Sequence, residues 1–187
     1  SENPTLAVNG QYTWFWGLEI MDSNPKRVLE VTGSAPSDAA KDTGINVYGP
    51  GTRLINLIIH DNAQGIGTWG GASDSECYGN VIFNNGWLAP DRGHGHGIYA
   101  QNQNGGKLFK DNIVIHNFGE TIQMYGSDAA FLNNMTWERN IWVNNRVLFG
   151  GNTPINRLVL KDNFSYKVNL QVGYGSPYNN DIEITNN

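Results

Sequence analysis

Short apolar segments recur along the chain, and most of them end in asparagine or in an Asn-rich turn. Seven such segments can be aligned, with starts 19 to 39 residues apart. They occupy residues 17–23, 56–62, 79–85, 111–117, 139–145, 162–168 and 181–187. A repeating unit of about 20–23 residues, lengthened in places by loop insertions, explains this spacing.

A second short apolar segment follows most of these. It covers residues 65–69, 97–101, 121–125, 147–149 and 169–173. Each unit is therefore predicted to hold a strand, an Asn-rich turn, a second strand and a return that contains glycine. A unit this small cannot bury its own apolar face, so the units are expected to stack as a solenoid.

Stacking places equivalent residues of successive units one strand spacing, about 4.8 Å, apart. An asparagine column is predicted from Asn80, Asn112, Asn140 and Asn163, whose amides can hydrogen-bond along the stack. The inward column of the second strands is predicted to be Ile66, Ile98, Ile122, Leu148 and Leu170.

These Asn-containing units, each followed by a Gly-Ile type of strand, resemble the parallel β-helix repeats of the pectate-lyase-like superfamily over about residues 10–187. The resemblance implies an all-β, right-handed parallel β-helix of about seven coils, forming one domain over 1–187. The chain begins and stops within the repeat pattern, so we expect that it can be a fragment of a longer helix. A β-propeller is the alternative, but its blades repeat at about 40–45 residues.

Several first strands are apolar on both faces, so one apolar face is expected to point outward. One set of alternating positions is Leu57, Ile82, Val114 and Trp142, and the other is Ile58, Val81, Phe83, Ile113, Ile115, Ile141 and Val143. We expect a loop, the N-terminal segment or another copy of the chain to cover the outward set.

Composition narrows the possible partners. The net charge of −5 argues against nucleic acid, which selects basic surfaces. No stretch approaches the roughly 20 apolar residues of a membrane span. The single cysteine, Cys77, excludes an internal disulfide. The 23 glycines and the low charged fraction of 16% favour a turn-rich β fold.

Residues 86–97 form the most distinctive insertion, a Gly-rich loop with Trp87, Asp91, Arg92, His94 and His96. The two histidines are spaced i, i+2, so in an extended chain both would project to one side. They could bind a transition metal with a third ligand from another unit, contact a sugar or act in acid–base chemistry, or shape a turn. No metal ligand is assigned.

Aligning the second strands places Gln64, His96, Glu120 and Arg146 in one column. There Glu120 would favour a charged His96, and Arg146 would keep Glu120 ionised. The candidate catalytic residues are therefore His94, His96, Glu120, Arg92, Asp91 and Arg146. A polar ladder that closes a turn is the alternative for this column.

The outer face of the same strands offers aromatic rings and amides, which suit sugar rings and their hydroxyls. The outer column is aligned as Gly67, Tyr99, Gln123, Phe149 and Gln171. The candidate substrate-binding residues are Trp69, Trp87, Tyr99, Gln101, Gln123 and Tyr125.

Three classes of function remain open. The first is a secreted, extracellular polysaccharide lyase or glycosidase acting through the 86–97 loop, with a polysaccharide or glycan as partner. The resemblance allows a Ca²⁺ cofactor, but no cluster of acids supports a Ca²⁺ cage, and Asp91 with Glu120 is the only pair to try as glycosidase carboxylates. The others are a non-catalytic carbohydrate-binding module and a structural solenoid segment of a larger surface protein or end-to-end assembly, with self-association through open ends or the apolar face.

Overall fold

The computed structural model describes residues 3–175 and 178–187, which form short strands and turns without a helix in these ranges. Strands are numbered β1 to β22 in chain order. Each coil passes through three parallel sheets, A, B and C, and an antiparallel hairpin, β10 (Trp87–Leu88) and β11 (Gly93–His94), lies outside them.

Sheet A has seven strands, one for each coil, and carries the second strands of the repeat. They are β1 (Pro4–Val8), β4 (Thr43–Val47), β7 (Ile66–Thr68), β12 (His96–Ala100), β15 (Glu120–Gly126), β18 (Arg146–Gly151) and β21 (Asn169–Tyr174).

Sheet B also has seven strands and sheet C has six. Sheet B contains β2 (Trp14–Trp16), β5 (Arg53–Ile55), β8 (Ser75–Tyr78), β13 (Lys107–Lys110), β16 (Leu132–Glu138), β19 (Ile155–Lys161) and β22 (Asn180–Thr185). Sheet C contains β3 (Glu19–Met21), β6 (Ile58–His60), β9 (Val81–Phe83), β14 (Ile113–Ile115), β17 (Ile141–Val143) and β20 (Phe164–Tyr166). All strands within these sheets pair in parallel, as expected for a coiled stack.

Sheet B is the element that the sequence pattern did not predict. The seventh aligned segment, residues 181–187, was wrongly grouped with the first strands, since it falls on β22 of sheet B and not in sheet C. We expected a glycine-containing return in each unit, but the return holds a third strand of up to seven residues. Its inward positions include the polar Ser75 and Lys107, both buried, beside Cys77. Because these positions break the apolar alternation, periodicity alone hides the strand.

The inward column of sheet A follows the prediction as far as Ile122 and then differs. Ile66, Ile98 and Ile122 stack in register, but the next residue is Val147 and not Leu148. Leu148 instead pairs with Gln123 on the outer side, and Phe149 points into the core beside Trp137. Three consecutive apolar residues give no alternation, and a one-residue shift in register exchanges the two faces.

The predicted asparagine ladder is confirmed. In each step from Asn80 to Asn163, the backbone N–H and the side-chain amide of one Asn donate to Oδ1 of the next at 2.9–3.1 Å. The residue before each Asn has a positive φ, between 52° and 66°. Gly79, Asp111 and Asp162 adopt that conformation readily, whereas Arg139 has no such preference and takes it within the stack. The ladder satisfies the buried polar groups.

A second ladder, not predicted, runs along the other end of the sheet C strands. It joins Asn62, Asn85 and Asn117 through hydrogen bonds of 3.1–3.2 Å. Each of these asparagines again follows a residue with positive φ: Asp61, Asn84 or His116. The short strands of sheet C are thus held at both ends.

One face of sheet C is apolar and points outward, as the alternation predicted. Ile82, Val114 and Trp142 are buried, whereas Ile58 and Ile141 on the opposite face stay exposed. No segment of residues 3–175 or 178–187 covers these two side chains. Cover by another copy of the chain stays a prediction.

Candidate functional site

The outer face of sheet A is the floor of a groove of about 1020 Å³. The strands cross the groove, so successive coils contribute successive floor residues. Of the predicted site residues, ten line it: Trp69, Trp87, Arg92, His94, His96, Tyr99, Glu120, Gln123, Tyr125 and Arg146. Asp91 and Gln101 do not.

Two insertions build one wall of the groove. The 22–42 insertion is bridged to the hairpin of the 86–97 loop at Val28, because the Leu29 N–H donates to the Leu88 carbonyl at 2.9 Å and the Leu88 N–H donates to the Arg27 carbonyl at 2.8 Å. Leu29 is buried at this junction. The sequence pattern did not predict that the 22–42 insertion takes part.

Lys41 fixes the far end of the 22–42 insertion to the coils. Its buried ammonium donates to the carbonyls of Asp22 at 3.1 Å and Asp61 at 2.9 Å, and to that of Asn24. Burial lowers the pKa of Lys41, and so does the nearby Arg27, while Asp22 acts in the opposite direction. The wall is therefore anchored by a cation bound to carbonyl oxygens.

His96 and Glu120 meet at the floor, as the column alignment predicted. Their backbones are paired across β12 and β15, and Nε2 of His96 lies 3.3 Å from Oε2 of Glu120. Nδ1 of His96 lies 3.1 Å from Oε1 of Gln64 in the preceding coil. The close stacking is made possible by Gly97, where a Cβ atom would lie only 2.6 Å from the Thr121 carbonyl oxygen.

Glu120 is held as a carboxylate by its cationic neighbours. Burial opposes its ionisation, but the hydrogen bonds and charges of His96 and Arg146 outweigh burial and lower the Glu120 pKa to about 2. Nη2 of Arg146 contacts Oε1 of Glu120, and Nη1 of Arg92 lies 4.0 Å from the same oxygen. One carboxylate is thus surrounded by three basic side chains.

Arg146 reaches this cluster from a position one residue away from the predicted one. Because Ile122 pairs with Val147, Arg146 lies beside Thr121 in register and not beside Glu120. Its long side chain still reaches the Glu120 carboxylate. Register errors of this kind matter less for arginine than for short side chains.

His94 and His96 are not side by side. Gly95 has a φ of 81° and interrupts the extended backbone between them. His94 is only 2% exposed, stacks on Trp87 at 5.4 Å and places Nε2 3.1 Å from Asp91. This hydrogen bond lowers the pKa of Asp91. His94 therefore holds the wall hairpin, whereas His96 belongs to the floor.

Aromatic rings run along the floor from coil to coil. Trp69 lies 5.5 Å from Tyr99 and 6.4 Å from Tyr48, and Tyr125 lies 6.4 Å from Tyr174. Tyr48 and Tyr174 were missed by sequence reasoning. Tyr48 follows strand β4, which lies outside the segments aligned from the sequence. Aligning β4 with the other units would have revealed Tyr48.

Lys107 supports the floor from inside the helix. Its buried ammonium donates to the carbonyls of Trp69, at 2.6 Å, and Gln101, and to Oγ1 of Thr68 at 3.2 Å. Burial lowers the Lys107 pKa to about 7. Gln101, predicted to bind substrate, donates its amide to the Tyr125 carbonyl at 3.3 Å and is a supporting residue of the same turn.

The described residues do not fit a Ca²⁺ ion. No group of three or more His, Cys, Asp or Glu side chains within 3–175 and 178–187 is arranged to hold a metal, and Glu120 is already bound by cations. Oxygen-rich coordination by several carboxylates is what Ca²⁺ requires.

Comparison with known proteins agrees with the fold. Residues 26–146 match the family described as a right handed beta helix region, so the chain belongs to that family. Neither a search of curated proteins nor a search of solved structures found a match. Within the described residues, no helix is long and apolar enough to cross a membrane.

Proposed function

We propose that the protein binds a polysaccharide in the groove of sheet A and cleaves it beside His96. The observation that supports this most directly is the cluster of His96, Glu120, Arg92 and Arg146 at the floor of a groove lined by aromatic rings. Aromatic rings can stack on the faces of sugar rings. In the charged cluster, His96 can transfer a proton and Glu120 orients its ring.

The charges of the groove favour an acidic polysaccharide. Arg92, Arg146 and Lys167 line it, and Glu120 is the only carboxylate among the described lining residues. A substrate carboxylate can pair with these cations although the whole chain carries a net charge of −5. A uronic-acid residue beside His96 is the arrangement we propose.

Lyase chemistry suits this arrangement better than hydrolysis. His96 would act as a neutral ring whose Nε2–H donates to Glu120. Its Nδ1 would leave Gln64 and take the proton from the carbon next to the uronate carboxyl group, while Arg92 and Arg146 stabilise the charge that develops there. The C–O bond to the leaving sugar breaks as a C=C bond forms, and the protonated His96 returns the proton to the leaving oxygen. A glycosidase instead needs two carboxyl groups about 5–10 Å apart, one of them protonated, and Glu120, with a pKa of about 2, does not donate a proton near neutral pH.

The test is an assay on neutral and uronic-acid polysaccharides that records both new reducing ends and the ultraviolet absorbance of unsaturated products. We expect unsaturated product from a uronic-acid polymer, lost in His96→Ala and retained in His116→Asn, a variant of a histidine outside the groove. New reducing ends without unsaturated product would show that the protein is a hydrolase and not a lyase.

A non-catalytic carbohydrate-binding module is the second candidate. It is favoured by the observation that both ring nitrogens of His96 and both oxygens of Glu120 already have partners. Binding of the polymer in the groove without any product, weakened by Tyr99→Ala, would establish this alternative.

A polysaccharide partner also leads us to propose that the protein acts outside the cell. Such polymers are found chiefly in walls, matrices and secretions. Detection of the protein in the culture medium or at the cell surface, by immunoblotting of fractions, would support the proposal, and confinement to the cell interior would oppose it.

A further inference from the structure

A second aromatic surface lies on sheet B, outside the groove. Tyr12, Trp14 and Trp16 are 74%, 60% and 68% exposed. They occupy alternate positions of the segment that leads into and forms strand β2, whereas Phe15 between the tryptophans packs against the core. Alternation places the two tryptophans on one face, about 6.6 Å apart along the strand.

Two of the three rings, Trp14 and Tyr12, are held in place by their neighbours. The Arg53 guanidinium lies over the Trp14 ring, 4.6 Å from its centroid, and pairs with Glu76 at 3.3 Å. Tyr12 lies against Gly51, where a Cβ atom would collide with the ring. Tyr12 itself has a positive φ of 53°, and its N–H donates to the Pro50 carbonyl at 2.8 Å.

Strand registry adds polar groups and a fourth ring to the same face. Trp14 aligns with Arg53 and Glu76, and Trp16 aligns with Ile55 and the exposed Tyr78. The surface thus combines flat rings with a guanidinium, a carboxylate and a phenol that can bond hydroxyl groups. Arg53 and Glu76 offset each other's charge, so the surface does not select an anion.

We propose that this surface, made of Tyr12, Trp14, Trp16, Arg53 and Glu76, is a second, non-catalytic site that anchors a neutral polysaccharide chain. Pyranose faces stack on exposed aromatic rings, and their hydroxyls bond to nearby polar groups. A protein partner would favour pockets that receive apolar anchors, whereas here the rings lie along an extended strand. The inference depends on the proposed function only for the class of ligand.

An anchor of this kind holds the protein on the neutral polymer of a mixed material, and so raises its effective concentration near any acidic polysaccharide in the same material. Its loss should therefore weaken retention on a polymer and leave the reaction of short oligosaccharides unchanged. This difference separates the anchor from the groove. Retention on a polymer also tests the anchor when the groove has no activity.

The experiment measures retention of the full chain on insoluble cellulose, and its migration in gels that contain soluble β-1,4-linked glucan, xylan or mannan. We expect Trp14→Ala combined with Trp16→Ala to reduce retention at least tenfold on the polymer that binds the unaltered chain. Phe164→Ala combined with Tyr166→Ala is the matched control, since these rings are similarly exposed on sheet C.

Thermal unfolding of both double variants should match that of the unaltered chain, because the rings removed are exposed. The Tyr99→Ala groove variant should keep its retention on the neutral polymer. Equal retention of the unaltered chain and the Trp14/Trp16 variant, or retention that Tyr99→Ala abolishes, would overturn the inference. Absence of retention on all four neutral polymers would overturn it as well.

Discussion

At the scale of single residues, Glu120 is the charge on which the floor cluster depends. It is the carboxylate between His96 and Arg146, with Arg92 nearby. Removal of its charge leaves basic side chains facing one another without their partner. His96 would at the same time lose the group that orients its ring.

The first prediction concerns stability and pH. Since the folded-state pKa of Glu120 is about 2, and the unfolded value is about 4.3, its contribution is complete above the unfolded value and is lost as the pH falls toward 2. Glu120→Gln should therefore flatten the acid limb of the stability curve. Denaturant titrations at several acidic pH values check this, and an unchanged acid limb would contradict it.

The second prediction separates the two histidines of the 86–97 loop. His96→Ala should abolish turnover while the wall hairpin stays closed, because its ring belongs to the floor and pairs with Glu120. His94→Ala should instead loosen the wall hairpin, since the ring is buried against Trp87. Limited proteolysis within residues 86–97, measured beside turnover, distinguishes the effects; equal behaviour of both variants would show that the assignment of roles is wrong.

At the scale of elements, the asparagine ladder is the feature that joins coil to coil. Asn112 donates to Oδ1 of Asn140 at 2.9 Å and to the Cys77 carbonyl at 2.8 Å, and it accepts from Asn80. All of these groups are buried in the interior of the turn. Loss of a ladder asparagine is therefore expected to lower the free energy of unfolding more than loss of an exposed asparagine.

The third prediction is that Asn112→Ala lowers the free energy of unfolding by about 2–4 kcal/mol, since more than one buried polar group loses its partner. Asn156→Ala is the control, because Asn156 takes part in an exposed row of amides with Asn133 and Asn180, and it should cost less than about 1 kcal/mol. Urea denaturation gives both values, and similar losses would contradict the role assigned to burial.

The fourth prediction concerns Lys107, which ties sheet B to the turn that carries Trp69. Lys107→Met removes the ammonium donor from the Gln101 carbonyl and leaves the Trp69 carbonyl with only the Ala72 N–H, so it should cost about 1–3 kcal/mol. Affinity for polymer in the groove should fall with it, because the floor loses its support. Lys110→Met, on the less buried side of the same strand, is expected to change neither quantity.

At the scale of the whole molecule, the groove depends on two insertions that are distant in sequence. The 22–42 segment and the 86–97 loop are joined by a single β-bridge between Val28 and Leu88, while the coils beneath are held by ladders and core. A substitution can therefore disturb the wall of the groove without unfolding the coils.

The fifth prediction uses this separation. Leu29→Asp buries a charge at the junction of the two insertions, so it should expose the 22–42 segment to protease and weaken binding in the groove. The main thermal transition should change little. Val31→Asp, at an exposed position nearby, is the control; loss of the whole fold in Leu29→Asp would mean that the wall and the coils form one cooperative unit.

The sequence by itself determined the repeat, and through it the fold. Alternating apolar residues and left-handed turn positions before asparagine are local requirements, so the sheet C strands, the sheet A strands and the first ladder could be read from single segments. The His96–Glu120 contact followed from the same alignment, because both residues hold equivalent places in adjacent coils.

Tertiary structure alone decided the remainder. Sheet B was hidden because its inward positions include the polar Ser75 and Lys107, and the buried ammonium of Lys107 depends on oxygens of Thr68 and Trp69, 39 and 38 residues away. The register at Val147 was set by the fit of Phe149 into the core, which an uninterrupted apolar run does not specify. The wall of the groove arises from contacts between residues about 60 positions apart, such as Leu29 with Leu88, and no local pattern encodes a contact of that range.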